Sequence, residues 1–464
     1  MPVNSFDDYP MSWKPNKEQL TQPYYLSLAA LLEYDIQSGR LAPHTKLPPQ
    51  RELADWLDLN LSTVTRAYKR CELKGLTYAT TGRGTFVAPQ PEVVSPETPY
   101  IELGNIHPFD NCTRAVVEGA KHVLSKGYAE KLLDYGDPLG TPSQRATARD
   151  WMRRLGVEAT PEHIAVTSGA QNALVVALLT LFKPGDTIAA DRYTLAGFVE
   201  LANMLHIKVI PVEGDGLGML PDALERACRE HSLRGVYLMP TCQMPTTFLM
   251  DEPRREALAQ VAQRQDLLIL EDDIYAFLAP NDVRPLAALA PEHTVHICSL
   301  SKSLAAGLRV AFLAYPSRCA QAMVRGIYNV NVKTPSFNTE VACTLIRSGM
   351  AEEIVKEKME LARERNAICD RYFPRSTGGN EHPLSFCRWL PLNGKHSISI
   401  EEEALQNGVR VFHSSRFLSG PPEEQEYLRI ALSSPTNNTK LEHGLSLLKE
   451  VLDRPRPTAD SPVI

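Results

Sequence analysis

Over the first ninety positions, apolar residues recur at the three-to-four spacing of helices in 25–36, 51–57 and 62–73. The pattern then changes to short alternating runs across 78–87, interrupted by Gly82 and Gly84. Three helices followed by a β-hairpin are predicted. Further on, short apolar runs at 164–166, 187–190, 208–212, 235–239, 267–270 and 295–298 alternate with helical stretches. That alternation predicts an α/β fold with a mostly parallel sheet covered by helices on both faces. A charged helical pattern over 351–366 marks a smaller C-terminal subdomain, and 453–464 reads as a frayed tail. The most apolar run, 173–182, falls well short of the roughly 18 residues that span a bilayer, and so predicts a buried helix.

Composition divides this pattern. The stretch 88–99, APQPEVVSPETP, is proline-rich and poor in large apolar residues, as extended linkers are. It separates a domain over 1–87 from a larger one over 100–464. A net charge of -6 gives no global attraction to nucleic acid, so any DNA contact must be local. Between positions 61 and 83, Arg66, Lys69, Arg70, Lys74 and Arg83 face only Glu72, which leaves such a local positive surface. The 9 cysteines include no CxxC pair, and the start MPVNSFDDYP lacks the basic and apolar regions of a secretion signal, so a reducing cytoplasm is expected. His293 and His296 have no companions at metal-ligand spacing and read as surface or loop histidines; no metal is expected. Cys242 and Cys298 read as buried apolar residues rather than nucleophiles.

A helix that enters a DNA groove needs short polar side chains and cations at its N-terminal end. Asn60, Ser62, Thr63 and Arg66 stand there. The segment KLPPQRELADWLDLNLSTVTRAYKRCELKGLTYATTGRGTFVA resembles the GntR-type winged helix-turn-helix, with the likeness running over about 23–87. The resemblance implies that Arg51 meets a phosphate or base, that Ser62, Thr63 and Arg66 lie on the recognition helix, and that Gly82, Arg83 and Gly84 form the wing tip. Leu61 departs from the family, which often carries a basic residue at that place, and an apolar contact to a thymine methyl is one use for it.

An amine can hold an aldehyde cofactor if it is nucleophilic and if separate groups secure the cofactor's phosphate and ring nitrogen. SLSKSLAAGLRVAF, which follows an apolar strand, resembles the Schiff-base segment of fold type I pyridoxal phosphate enzymes. By that likeness Lys302 bears pyridoxal 5'-phosphate, while Ser299 and Arg309 meet its phosphate. LILEDDIYAF resembles the strand end where Asp272 pairs with the pyridinium nitrogen and Tyr275 with the ring oxygen. TSGAQNAL resembles the phosphate cup, with N-H groups around Ala170 and Gln171 facing the anion. YGDPLG resembles the segment whose tyrosine, here Tyr135, reaches the phosphate of a neighbouring subunit, which implies a homodimer. YLRIALSS places Arg429 where the family forks onto a substrate α-carboxylate. Together with the N-terminal segment, these motifs resemble the MocR subfamily of GntR regulators over nearly the whole chain.

Two departures bear on turnover. Met244 stands where transaminases place an asparagine that hydrogen-bonds the ring oxygen, and a thioether cannot donate. Leu195 stands where an aromatic ring stacks on the cofactor, unless Tyr193 takes that place. The expected function is a transcription regulator binding a double-stranded DNA operator and sensing an amino acid, an amine or pyridoxal phosphate itself through aldimine chemistry at Lys302. Two readings remain beside it: an active aminotransferase with an accessory DNA-binding domain, and an empty dimerisation scaffold.

Overall fold

The computed structural model describes residues 11–89, 99–280, 282–375, 380–392 and 399–454. Most of the expected linker and, from 455, the expected tail lie outside them. The chain divides into two compact units, Met1–Thr98 and Pro99–Ile464.

The first unit contains helices α1 (Tyr24–Gln37), α2 (Gln50–Leu57) and α3 (Leu61–Leu73), then an antiparallel hairpin of β1 (Thr77–Thr80) and β2 (Gly84–Val87). α2 ends on Asp58 at φ 47, a left-handed position that aspartate tolerates better than most residues. Two residues later the Asn60 side chain accepts from Ser62 N–H at 2.9 Å and caps α3. Residues 58–60 therefore turn the chain between the two helices. The inward stripe of all three helices, including Leu28, Leu32, Leu53, Leu57, Val64 and Cys71, forms one buried core. The Tyr68 hydroxyl donates to the Pro48 carbonyl at 2.9 Å and fixes α3 against the segment before α2.

The second unit is built on seven strands: β3 (Ile164–Thr167), β4 (Thr187–Asp191), β5 (Lys208–Val212), β6 (Leu233–Leu238), β7 (Leu268–Asp272), β8 (Thr294–Ser299) and β9 (Ala311–Ala314). Their order across the sheet is β3-β9-β8-β7-β6-β4-β5. All six expected runs form strands of this sheet. The seventh, β9, was not foreseen and is antiparallel to both neighbours, so the sheet is mixed. Only residues 300–310 separate β8 from β9, about the minimum for a parallel crossover, and the chain simply folds back. Helices pack on the sheet; helix α4 (Ala170–Leu181) buries Ala173, Leu174, Val176, Ala177 and Leu178 in the central core.

The charged helix α5 (Met350–Tyr372) leads into a smaller antiparallel sheet, in which β12 (Tyr427–Ala431) lies between β10 (Cys387–Pro391) and β11 (Phe412–His413). Ile101–Glu102 pairs in parallel with Val409–Arg410, so the start of the unit is joined to its C-terminal subdomain.

A candidate cofactor site and a candidate DNA-binding face

Parallel pairing brings Asp272 level with Ile297, so the carboxyl ends of β7 and β8 lie side by side, where open α/β sheets bind ligands. Lys302 follows on the one-turn helix Leu300–Ser303, which Ser299 caps by accepting from Ser301 N–H at 3.2 Å. The ammonium of Lys302 donates to the Ile106 carbonyl. Burial, with Arg429 and Lys358 nearby, lowers its pKa to about 8, so that a useful fraction is the neutral nucleophile near neutral pH.

Asp272 accepts from the Tyr237 hydroxyl at 2.8 Å through one oxygen, while Oδ1 is buried with no partner among the described residues. Burial pushes its pKa up to about 7. A cationic N–H at Oδ1 would satisfy the oxygen and restore the carboxylate, which is what a pyridinium nitrogen offers. The Tyr275 hydroxyl is also buried without a partner among the described residues. Tyr237, which the sequence reading missed, stacks on Phe198 with centroids 3.8 Å apart and anchors Asp272 from the side.

Gly169, at φ 86, opens helix α4, whose first amides, around Ala170 and Gln171, have no acceptor within the helix. A Cβ on Gly169 would lie 2.5 Å from an Arg309 nitrogen, so glycine is needed for the guanidinium to approach. Arg309 also donates to Ser301 Oγ at 3.3 Å. Beside it, Ser168 Oγ accepts from Asn331 at 3.0 Å. These groups form an anion cradle. Ser168 and Ser301 were missed, although each is adjacent to a residue that was named; Ser299 serves the cap.

Arg429 is buried and donates to the Gly104 carbonyl at 2.6 Å. Its guanidinium lies 4.5 Å from the Phe417 ring centroid, its Nε is buried without a partner, and it forms no ion pair with a described residue. Met244 is buried against the Cys387 thiol. Leu195 caps the helix Ala196–Met204 and packs on the central core, whereas the Tyr193 ring turns to Trp389 and Tyr427. Tyr135 is 87% exposed.

His296 is a correction. Expected at the surface or in a loop, it is buried in β8, because both faces of this sheet are covered. Its Nδ1 lies 2.9 Å from Glu271 Oε2. Ligand atoms of Glu271, Asp273 and His296 all lie within 4.8 Å of one another. Glu271 already accepts from the amides of Leu286 and Ala287, and the cation of Arg255 faces the same group. Cys242 and Cys298 are buried, and burial raises both thiols well above their ordinary pKa.

In the first unit, Ser62, Thr63, Arg66, Lys69 and Arg70 recur at helical spacing along one side of α3. Arg51 is exposed at the start of α2, and Arg83 is exposed at the hairpin tip between Gly82 at φ 75 and Gly84 at φ 114. Arg51, Arg66, Lys69, Arg70 and Arg83 form no ion pair with described residues, while Lys74 pairs with Glu33. Three contributors were not foreseen. Tyr25 lies under the Arg66 guanidinium, 3.8 Å from centroid to carbon; Gln50 accepts from Thr65 at 2.7 Å; and the Lys46 side chain packs where a Cβ on Gly84 would be.

A helix-turn-helix unit joined to a fold type I unit with this cradle defines a transcription regulator of the pyridoxal phosphate type. Residues 24–87 match the model of the gntR family of bacterial regulatory proteins, and 101–446 match aminotransferase class I and II. The chain belongs to the GntR regulators that carry such an aminotransferase domain, the arrangement of the MocR subfamily. The HTH-type transcriptional regulator YdeF of Bacillus subtilis is 37% identical over 461 residues, which is 98% of this chain and 99% of that protein. The vitamin B6 salvage pathway transcriptional repressor PtsJ of Salmonella typhimurium is 31% identical over 290 residues, 61% of this chain and 65% of that one. In fold, the second unit is similar to an archaeal alanine:glyoxylate aminotransferase (TM-score 0.70, 23% identity, 84% of this chain and 94% of that one). It is also similar to the α-aminoadipate aminotransferase LysN of Thermus thermophilus (TM-score 0.68, 24% identity, 76% and 92%). Among the described residues, no helix is long and apolar enough to cross a membrane.

Proposed function

We propose that this regulator responds to an amino acid recognised beside Lys302, with 1–87 as the DNA-binding unit, 88–99 as linker and 100–464 as the ligand-binding unit. The observation that carries the reading is Arg429. A buried guanidinium with an unsatisfied Nε and no carboxylate partner among the described residues is costly, and an α-carboxylate would complete it. When bound, pyridoxal phosphate supplies an aldehyde that condenses with primary amines and a ring that accepts electrons. Lys302 is the amine that would hold the cofactor, and its lowered pKa makes it the better nucleophile. Asp272 would hold a proton or a charge for the ring nitrogen, Tyr275 would offer its hydroxyl, and the start of α4 with Arg309 and the O–H of Ser299, whose oxygen also accepts the helix cap, would secure the phosphate. Met244 offers no donor where turnover requires one, which favours sensing over catalysis.

Arg51, Ser62, Thr63, Arg66 and the Gly82–Arg83–Gly84 tip are assigned to DNA, with the protein acting in the cytoplasm. A homodimer is assigned on the exposure of Tyr135 and Leu133, 87% and 81%, which suits a tyrosine that completes a partner's phosphate site. A second reading, that pyridoxal phosphate is itself the effector, is favoured by the likeness to PtsJ.

Titration of the cofactor-loaded protein with amino acids and with amines lacking a carboxylate, reading absorption and DNA affinity together, tests the proposal. Amino acids should shift both, and Arg429→Ala should weaken that response at least tenfold. An unchanged response in Arg429→Ala, or sensitivity of DNA binding to cofactor concentration alone, overturns it.

A further inference from the structure

A cleft of about 560 Å³ lies between the β4–β5 edge of the large sheet and the C-terminal subdomain. Two main-chain seams frame it. On one side Thr194 N–H donates to Phe417 O and Ser419 N–H to Arg192 O, both at 2.9 Å; on the other, Leu249 N–H donates to Asn380 O at 3.0 Å and His382 N–H to Thr247 O at 2.7 Å. Lys302, Asp272 and Arg429 are not among the residues that line it.

Its wall carries three aromatic rings. Trp389 and Tyr427 stack with centroids 5.0 Å apart and planes at 15°, and Tyr193 meets them edge-on at 5.2 Å and 5.9 Å. The Tyr193 hydroxyl donates to the Gln425 carbonyl at 3.2 Å, so this ring is anchored and cannot swing into the cleft without losing that bond. Gly214 and Gly218 line the opposite rim, where a Cβ on Gly214 would lie 2.7 Å from the Gly218 carbonyl and one on Gly218 would lie 2.5 Å from Phe248. The space is therefore shaped by tight packing on both sides.

Its charge is acidic. Among the described residues Asp191, Glu213, Asp215, Glu381 and Glu423 line the cleft, with Arg192 as the one lining cation. Arg192 pairs with Glu423, while Arg226, Arg254 and Arg388 reach Glu213, Asp215 and Glu381 from the surroundings. Among the described residues four guanidinium groups thus pair four of the five lining carboxylates, and Arg388 is shared with Asp370. Glu381 Oε2 is buried and accepts no hydrogen bond from a described residue, and Asp191, also buried, faces no arginine in an ion pair.

We propose that this cleft is a second ligand site and that it takes an organic cation, with an alkylammonium group against Trp389, Tyr427 and Tyr193 and the counter-charge from Glu423 and Glu381. Aromatic faces attract an alkylammonium through their quadrupole, and a low-dielectric wall strengthens that attraction. An anion would face five carboxylates whose neighbouring guanidinium groups are already paired, and a neutral apolar ligand would offer no charge to Glu381 Oε2, which lies 3.2 Å from Arg388 but accepts no hydrogen bond from a described residue. The site is independent of the effector reading at Arg429. Trp389 stands opposite Arg429 across β10 and β12 and touches Phe417 edge-on at 6.0 Å, so an occupant would press on the wall that Arg429 shares.

The test uses the full-length, cofactor-loaded protein and isothermal titration with choline, a quaternary ammonium that has no N–H and cannot condense with an aldehyde. Its neutral carbon analogue, 3,3-dimethylbutan-1-ol, has nearly the same shape. Choline should bind once per chain, the analogue at least tenfold more weakly, and cofactor absorption should stay unchanged. Tyr427→Leu and the isosteric Glu423→Gln should each weaken choline roughly fivefold to tenfold, the size of one such contact. Circular dichroism reports whether the leucine variant keeps its fold, and Glu423→Gln carries the test if it does not. No heat at millimolar choline, equal binding of the neutral analogue, or an unchanged affinity in Glu423→Gln overturns the proposal.

Discussion

In the first unit Arg51, Lys69, Arg70 and Arg83 stand exposed and outside any ion pair of the described residues, whereas in the second Lys302, Asp272, Tyr275 and Arg429 are largely buried and three of the four keep an unsatisfied polar atom. Exposed cations are hydrated and cost little while they wait for a phosphate; their gain on binding comes from released counterions and is salt-dependent. A buried hydroxyl or carboxylate oxygen without a partner has lost its water and gained nothing in return. The first unit is therefore complete without DNA, and the second is incomplete without its ligand. The two should respond differently to mutation, pH and salt.

The most complete effect falls on Lys302. Lys302→Ala should abolish the visible absorption of protein-bound pyridoxal phosphate and any adduct that borohydride can fix, while leaving DNA binding by the first unit intact. In the wild type, the rate of covalent attachment should rise roughly tenfold per pH unit below about 8 and level off above it, because the neutral amine reacts and burial, with Arg429 and Lys358, has lowered its pKa. A profile still rising at pH 10 would show that the lysine is not depressed.

Asp272 gives the next largest effect, and its sign can be worked out. Its folded pKa, about 7, lies above the unfolded value of roughly 4, so its contribution to the stability of the cofactor-free protein is full below pH 4 and is lost as pH rises through 7. The loss is on the order of 4 kcal/mol at most. Asp191 and Asp273, also raised by burial, to about 7 and 6, add the same trend. Asp272→Asn should flatten part of the fall in Tm between pH 4 and 7 and weaken cofactor binding. An unaltered pH profile would mean that Asp272 stays ionised in the free protein.

The contrast between the units also governs what the sequence revealed. In the first, Leu53, Leu57, Val64 and Cys71 mark the buried stripe and the cations mark the opposite one, so helices and face are both legible from periodicity. In the second, the inner strands of the large sheet are buried on both faces and carry no alternation. His296 was misread for that reason, and β9 was overlooked because Val310 to Ala314 was read only as the end of the Schiff-base segment 299–312 and not as a strand of its own. Motifs named Lys302, Asp272 and Arg429 as candidates. Tyr237 becomes visible only when parallel pairing brings it beside Asp272, and Ser168 only when the loop after β3 brings it beside Arg309 and Asn331. Nothing in the chain order places Tyr193 with Trp389 and Tyr427, some two hundred positions later.

For the exposed cations, smaller and graded losses are expected. Arg83→Ala and Arg66→Ala should each weaken operator binding by about 1–3 kcal/mol, with cofactor absorption unchanged. If Arg83 meets a phosphate, its loss should also lower the slope of log affinity against log salt by about 1, equally for specific and non-specific DNA. A change confined to one base position would instead make Arg83 a reader of sequence.

Tyr25 offers the smallest effect and the sharpest distinction. Its ring lies under the Arg66 guanidinium at 3.8 Å, a contact between the first and third helices that holds the cation on one side of α3 before DNA arrives. A stacked guanidinium at an exposed site is worth about 0.5–1 kcal/mol. Holding it in place removes part of the rotamer entropy that Arg66 would otherwise lose on binding. Tyr25→Phe keeps the ring and should leave operator affinity within about twofold, whereas Tyr25→Leu keeps bulk but loses the stacking and should cost roughly twofold to fivefold. In an Arg66→Ala background the difference between phenylalanine and leucine at position 25 should vanish, because the ring then has no cation to hold. If the two substitutions differ equally with and without Arg66, Tyr25 acts on DNA directly or on the packing of α1, and the positioning role is lost.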